Sequence, residues 1–71
     1  MYKYRVMECP ANKPGIAHPS VDSEDEAKKM AKEIVQSTHN TCFVERHNGT
    51  EWQRGSIRYM WYFGRVCFWN G

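Results

Sequence analysis

The run IRYMWYFGRVCFW, Ile57 to Trp69, constrains this chain more than any other stretch, because it gathers Tyr59, Trp61, Tyr62, Phe63, Phe68 and Trp69 with no proline among them. Aromatic and β-branched residues at this density favour extended backbone, so the run reads as one long strand or two short ones. A regular pleat places Ile57, Tyr59, Trp61 and Phe63 on one face and Arg58, Met60 and Tyr62 on the other. Gly64 interrupts the alternation. It predicts either a bulge, with Val66 and Phe68 on the Ile57/Trp61 face and Arg65 and Cys67 outward, or a tight turn at Tyr62-Phe63-Gly64-Arg65 that makes Val66 to Trp69 a further strand. One helix can cover only one face of a sheet, so part of this aromatic surface is expected to stay exposed and to bind something.

The remaining chain is short. At 71 residues it makes a single domain, of a size that buries only about 60% of its unfolded surface, and the aromatic content of 14% compensates with large buried areas per residue. Tyr2-Lys3-Tyr4-Arg5-Val6 alternates as a first strand with Tyr2, Tyr4 and Val6 inward. Residues 8–22 carry Pro10, Pro14-Gly15 and Pro19 and read as a long loop, with Ile16 and Val21 able to pin it while Asn12 and Lys13 stay presented.

Ser23 with Glu26 forms a capping box, and Glu24 and Asp25 suit the positive end of a helix dipole, so a helix is expected over about 23–37. Ala27, Met30, Ala31, Ile34 and Val35 recur on one stripe, while Lys28, Lys29, Lys32, Glu33 and Gln36 take the solvated side. Thr41 to His47 is a second strand. Asn48-Gly49 then signals a two-residue hairpin that sets His47 against Thr50, Arg46 against Glu51 and Glu45 against Trp52. The return begins at Thr50, and Gly55-Ser56 marks a second turn or a bulge within one bent strand reaching Tyr62. The last residues, Asn70-Gly71, read as a short tail. The expected fold is α+β, two-layer, with one amphipathic helix on a mainly antiparallel sheet of 3–5 strands in the order β-loop-α-β-β-β.

Chemistry-bearing constellations are sparse. Cys9, Cys42 and Cys67 form no CxxC pair, and the chain opens at Met1 without an apolar leader, which points to a reducing cytoplasm. Arg58 and Arg65 break the richest apolar window, so no membrane span is expected. His39, Cys42 and His47 lack the paired spacing of a structural zinc site, and there is no phosphate-binding or dinucleotide glycine pattern, so neither a metal nor a cofactor is expected. Phe63-Gly64-Arg65-Val66-Cys67-Phe68 overlaps part of the signature of RNA-recognition motifs. Trp61 and Tyr62 stand where that signature needs a basic residue and a glycine, Arg65 replaces a stacking aromatic, and one helix is present where two are needed.

The expectation is therefore a small non-enzymatic protein-binding module, its partner-binding residues being Arg58, Tyr59, Trp61, Tyr62, Arg65 and Trp69 with Asn12 and Lys13 of the loop. The partner would be a larger host protein or protein–nucleic-acid complex. In style the chain suits a phage or mobile-element accessory protein that inhibits a host defence complex such as a CRISPR nuclease. The first alternative is a single-stranded nucleic-acid binder using the same aromatic/Arg face, disfavoured by a net charge of only +2. The second is a small-ligand or nucleotide-binding oligomer, in which the aromatic face pairs in a homodimer.

Overall fold

A computed structural model of the chain describes residues 2–70, in which one helix lies across one face of a five-stranded antiparallel sheet. The strands are β1 (Lys3–Cys9), β2 (Ile16–Ala17), β3 (Thr41–His47), β4 (Trp52–Tyr62) and β5 (Arg65–Asn70), and the helix α1 (Glu24–Thr38) falls between β2 and β3. Their order across the sheet is β2-β1-β3-β4-β5. The expected α+β, two-layer fold is present.

The helix begins where its capping residues require. Ser23 is extended (φ −119, ψ 135) and its hydroxyl accepts from the Glu26 amide, while Glu24, Asp25 and Glu26 occupy the first turn. It ends on His39 in the left-handed region (φ 63, ψ 12), whose N–H donates to the Val35 carbonyl at 2.8 Å. The His39 ring lies flat on Trp61 of β4, with centroids 4.1 Å apart and planes 8° from parallel. That stack ties the C-terminal end of the helix to the sheet.

Ala31 and Val35 are fully buried against Val6 of β1, Cys42 of β3 and Tyr59 of β4, with Met30, Ile34, Val44, Ile57, Trp61 and Val66 packed around them, and Ala27 on the same stripe is fully buried as well. Two alanines on the stripe let the helix backbone approach the sheet closely, which leaves room for the Tyr59 ring beneath it.

Three details depart from the sequence pattern. The loop expected over residues 8–22 is partly sheet: Met7 and Glu8 pair with Ala17 and Ile16, and Tyr4 exchanges backbone bonds with Val21 at 2.9 and 2.7 Å. The chain here is held by backbone pairing; Ile16 itself stays half exposed.

The hairpin after β3 is not a two-residue turn. Asn48 Oδ1 accepts from the Thr50 and Glu51 amides at 2.9 Å each, and the Asn48 N–H donates to the Glu51 carbonyl. These bonds make a four-residue loop, because the Asn side chain satisfies amides that a tighter turn would have placed in the ladder. Trp52 then faces His47, Gln53 faces Arg46 and Arg54 faces Glu45, a shift of two residues that leaves every side chain on its expected face.

Of the two readings of Gly55-Ser56, the bulge within one strand is the one adopted, and β4 runs unbroken from Trp52 to Tyr62. Phe43 pairs with Arg58 and Glu45 with Arg54, so Gly55 and Ser56 are the extra residues. A Cβ on Gly55 would sit 2.9 Å from the Val44 carbonyl oxygen, so only glycine fits there. Asn70, expected in a tail, ends β5; Gly71 lies outside the described residues.

Gly55→Ala is expected to lower the stability to chemical denaturation by about 1–3 kcal/mol through overpacking at the bulge. Val35→Ala is expected to cost about 2 kcal/mol by opening a cavity under the helix.

Candidate functional site: the uncovered sheet face

The strand pleat sorts the aromatic run into two populations. Tyr59 and Trp61 point under the helix, Tyr59 being only 2% exposed and Trp61 covered by His39, so neither is presented to a partner as the sequence reading had expected. Burial also pushes the Tyr59 phenol up in pKa, reinforced by the nearby Glu24 carboxylate. Arg58, Tyr62, Arg65 and Trp69 lie on the opposite face, which no element among the described residues covers. Asn12 and Lys13 are exposed beside β1 and β2, across the sheet from β5.

Registers align the uncovered face into rows running across the strands. One row is Met7, Phe43, Arg58 and Trp69; the next is Arg5, Glu45 and Arg54; the third is Lys3, His47 and Trp52. Within and between these rows guanidinium groups lie over rings. Arg54 stands 4.0 Å and Arg58 5.8 Å from the Phe43 centroid, and Arg5 stands 4.2 Å from that of Trp52. Glu45, nearly buried, accepts from Arg5 Nε at 2.8 Å and lies 3.9 Å from Arg54 Nε. Trp52 also meets His47 edge-on at 5.0 Å.

Beyond Arg58 rings dominate the stripe, with Arg65 set opposite Tyr62. Trp69 meets Tyr62 edge-on at 6.0 Å, and Tyr62 packs against Phe63 at 4.3 Å. Phe63 and Gly64 form the two-residue turn between β4 and β5, both with positive φ (53° and 72°). Of the two readings of Gly64, the tight turn is the one adopted. A phenylalanine in the left-handed region carries backbone strain that Asn or Gly would not, and Phe63 is 85% exposed.

Sequence reasoning did not place Arg5, Phe43, Trp52 or Arg54 in this face. Their signal was the period-two alternation of β1 and β3 continued onto the returning strand, which keeps its parity through a bulge of two residues.

A second cluster lies on the helix side, at the C-terminal end of α1. The Glu8 carboxylate, 5% exposed, accepts from Asn40 Nδ2 at 2.6 Å and is 2.9 Å from His18 Nε2. The Asn40 hydrogen bond holds the Glu8 carboxyl below its ordinary value of 4.5 against the opposing effect of burial, with His18 helping. Cys42, the buried neighbour, has its thiol pushed up to about 12 by burial and then by the Glu8 charge, so it is held as a neutral thiol and not as a nucleophile. Cys9 and Cys67 are free and half exposed. No three His, Cys, Asp or Glu side chains converge as metal ligands among the described residues, and no helix in them is long and apolar enough to cross a membrane.

A cleft of about 240 Å³ opens between the start of α1 and the sheet, lined by Tyr4, Glu24, Lys28, Arg46, Gln53 and Tyr59 among others. It is smaller than typical small-molecule sites. Fold and face together define a small α+β protein with one helix-covered and one basic, aromatic sheet face. Comparison with protein families, characterised proteins and solved structures finds no match to the chain.

Because the Glu8 carboxyl sits below its ordinary value in the folded state, its contribution to stability is present above that value and is lost as pH falls through the folded one. Asn40→Ala is expected to cost about 1–3 kcal/mol at neutral pH, by stranding a buried carboxylate, and to shrink the loss of stability in acid. Denaturant titrations at neutral and acidic pH check both.

Proposed function

We propose that the protein is a small non-enzymatic binding module that docks its uncovered sheet face on an acidic surface of a larger protein. The observation that carries this reading is the continuous stripe from Trp52 and Arg5 through Arg54, Phe43 and Arg58 to Trp69, Tyr62 and Phe63. Every arginine but Arg46 belongs to this face, with two methionines, Met7 and Met60. Of the lysines only Lys3 does, and it is paired with Asp22. Arginine, aromatic and methionine enrichment with few lysines and acids is the composition of protein interfaces. Guanidinium groups laid on rings are ordered before a partner arrives, so less side-chain entropy is lost on docking.

The charge of the face also narrows the kind of partner. The one carboxylate in its middle, Glu45, is taken up by Arg5 and Arg54, so the outward charge is positive. A face of this sign is the opposite of a nucleic-acid mimic. Inhibition of a host nuclease complex, the role the sequence style suggests, would run through an acidic exterior surface of that complex.

Segregation of charge favours single-stranded nucleic acid as a second reading. A net charge of +2 spread evenly would be weak, but the acids gathered at the start of α1 lie on the other side of the sheet. Tyr62 and Trp69, 44% and 50% exposed, are available to stack bases.

A tagged pull-down from bacterial lysate, with and without nuclease, separates the two. A stoichiometric protein that survives nuclease, and is lost on combining Arg58→Glu with Trp69→Ala, supports the docking reading. Loss of all bound material with nuclease overturns it in favour of nucleic acid. Binding would then weaken with salt, and Arg58→Ala with Arg65→Ala would flatten that dependence.

Phe63→Gly is expected to raise stability by about 1 kcal/mol through relief of the positive φ, while weakening partner capture. A gain in stability with unchanged capture would remove Phe63 from the docking face.

A further inference from the structure

The sheet has two edges that are treated differently. On one side β2 is only Ile16–Ala17, preceded by Pro14-Gly15 and followed by His18-Pro19, a short edge that offers little for another strand to extend. On the other side β5 (Arg65–Asn70) pairs only with β4 among the described residues, and it contains no proline, lysine or acid. Its residues Phe68 and Trp69 are 63% and 50% exposed, on opposite faces. Long apolar edges without such protection are templates for strand pairing.

The hairpin settles which backbone groups this edge presents. A two-residue turn closes on a hydrogen-bonded pair, here Tyr62 and Arg65, and pairs then alternate along an antiparallel ladder. Arg65, Cys67 and Trp69 therefore direct their N–H and C=O groups to β4, whereas Val66, Phe68 and Asn70 direct theirs outward.

We infer that β5 pairs antiparallel with β5 of a second copy of this chain, about a two-fold axis at Cys67, to form one continuous sheet with both helices on the same side. Opposed residues in such a pair must share a face, and this register satisfies that condition. Val66 meets Phe68 of the second copy as a hydrogen-bonded, apolar pair on the helix side. Arg65 meets Trp69 of the second copy on the uncovered side, which extends the alternation of guanidinium and ring across the axis. Cys67 meets its own copy at a non-hydrogen-bonded position, where Cα atoms lie about 4.5 Å apart, within disulfide range. The pairing sets Arg65 and Trp69 at its seam but leaves the uncovered face of both copies open on one side, and its test acts on Cys67 and Phe68, so it stands or falls independently of the partner reading.

The test is a Cys9→Ser protein, which keeps Cys67 and the buried Cys42, studied by light scattering across a concentration series. It is then oxidised with copper(II)–phenanthroline in air, which accepts the two electrons released as two Cys67 thiols lose their protons and join. A dimer that is trapped quantitatively through Cys67, and that is not trapped in a Cys67→Ser control, is the expected result. Phe68→Lys should abolish the dimer while leaving the circular dichroism of the monomer unchanged. In wild type the Phe68 amide should gain exchange protection with concentration, and the Cys67 amide should be protected throughout. A monomer at every concentration overturns the inference, as does a dimer that survives Phe68→Lys and resists trapping at Cys67.

Discussion

A helix with one apolar stripe can seal only one side of a sheet, and the contact of Ala31 and Val35 with Val6, Cys42 and Tyr59 makes that choice for the whole molecule. The small helix residues bring the two layers close. Once they are seated, strand alternation assigns every other side chain: Ile57, Tyr59, Trp61, Val66 and Phe68 to the helix side, and the arginines of β1, β4 and β5 to the other. The His39–Trp61 stack and the Asn40–Glu8 hydrogen bond fasten the end of the helix to β4 and β1, so the C-terminal turn is held to the sheet by polar contacts as well as by apolar ones.

The opposite side is handled without a second layer. Phe43 is flanked by Arg54 and Arg58 and Trp52 by Arg5, so guanidinium planes and their aliphatic stems cover rings that a further helix would have covered. The arrangement keeps charge outward and apolar surface shielded. It also leaves a positively charged relief, and at its end Tyr62, Phe63 and Trp69 pack on one another with no guanidinium over their rings among the described residues. Strain at Phe63 falls at this same end. Phe63 thus combines an unfavourable backbone region with 85% exposure at the turn.

Much of this was legible in the chain itself. The capping box at Ser23 and the stripe from Ala27 to Val35 located the helix within a residue of its bounds, since caps and periodicity act over a few neighbouring residues. The aromatic run was correctly read as extended. The candidate face was half legible: Arg58, Tyr62, Arg65 and Trp69 are together on it, while Tyr59 and Trp61 are not, because the pattern shows which residues share a face and not which face the helix takes. The Asn48-Gly49 register was misjudged by two residues, since the Asn48 carboxamide captured the Thr50 and Glu51 amides, a competition that dipeptide preference does not reveal.

By itself, the sequence determined the elements, their amphipathic faces and the positions of the turns, because these arise from interactions between residues close along the chain. Only the tertiary structure decided that β2 adds to β1, that Glu8, His18 and Asn40 meet, that Phe43 and Trp52 receive arginines from other strands, and that β5 is left as an open edge. Each of these depends on which strands become neighbours. That order is set by the simultaneous burial of one helix stripe against residues far apart in the chain, and no local pattern encodes it.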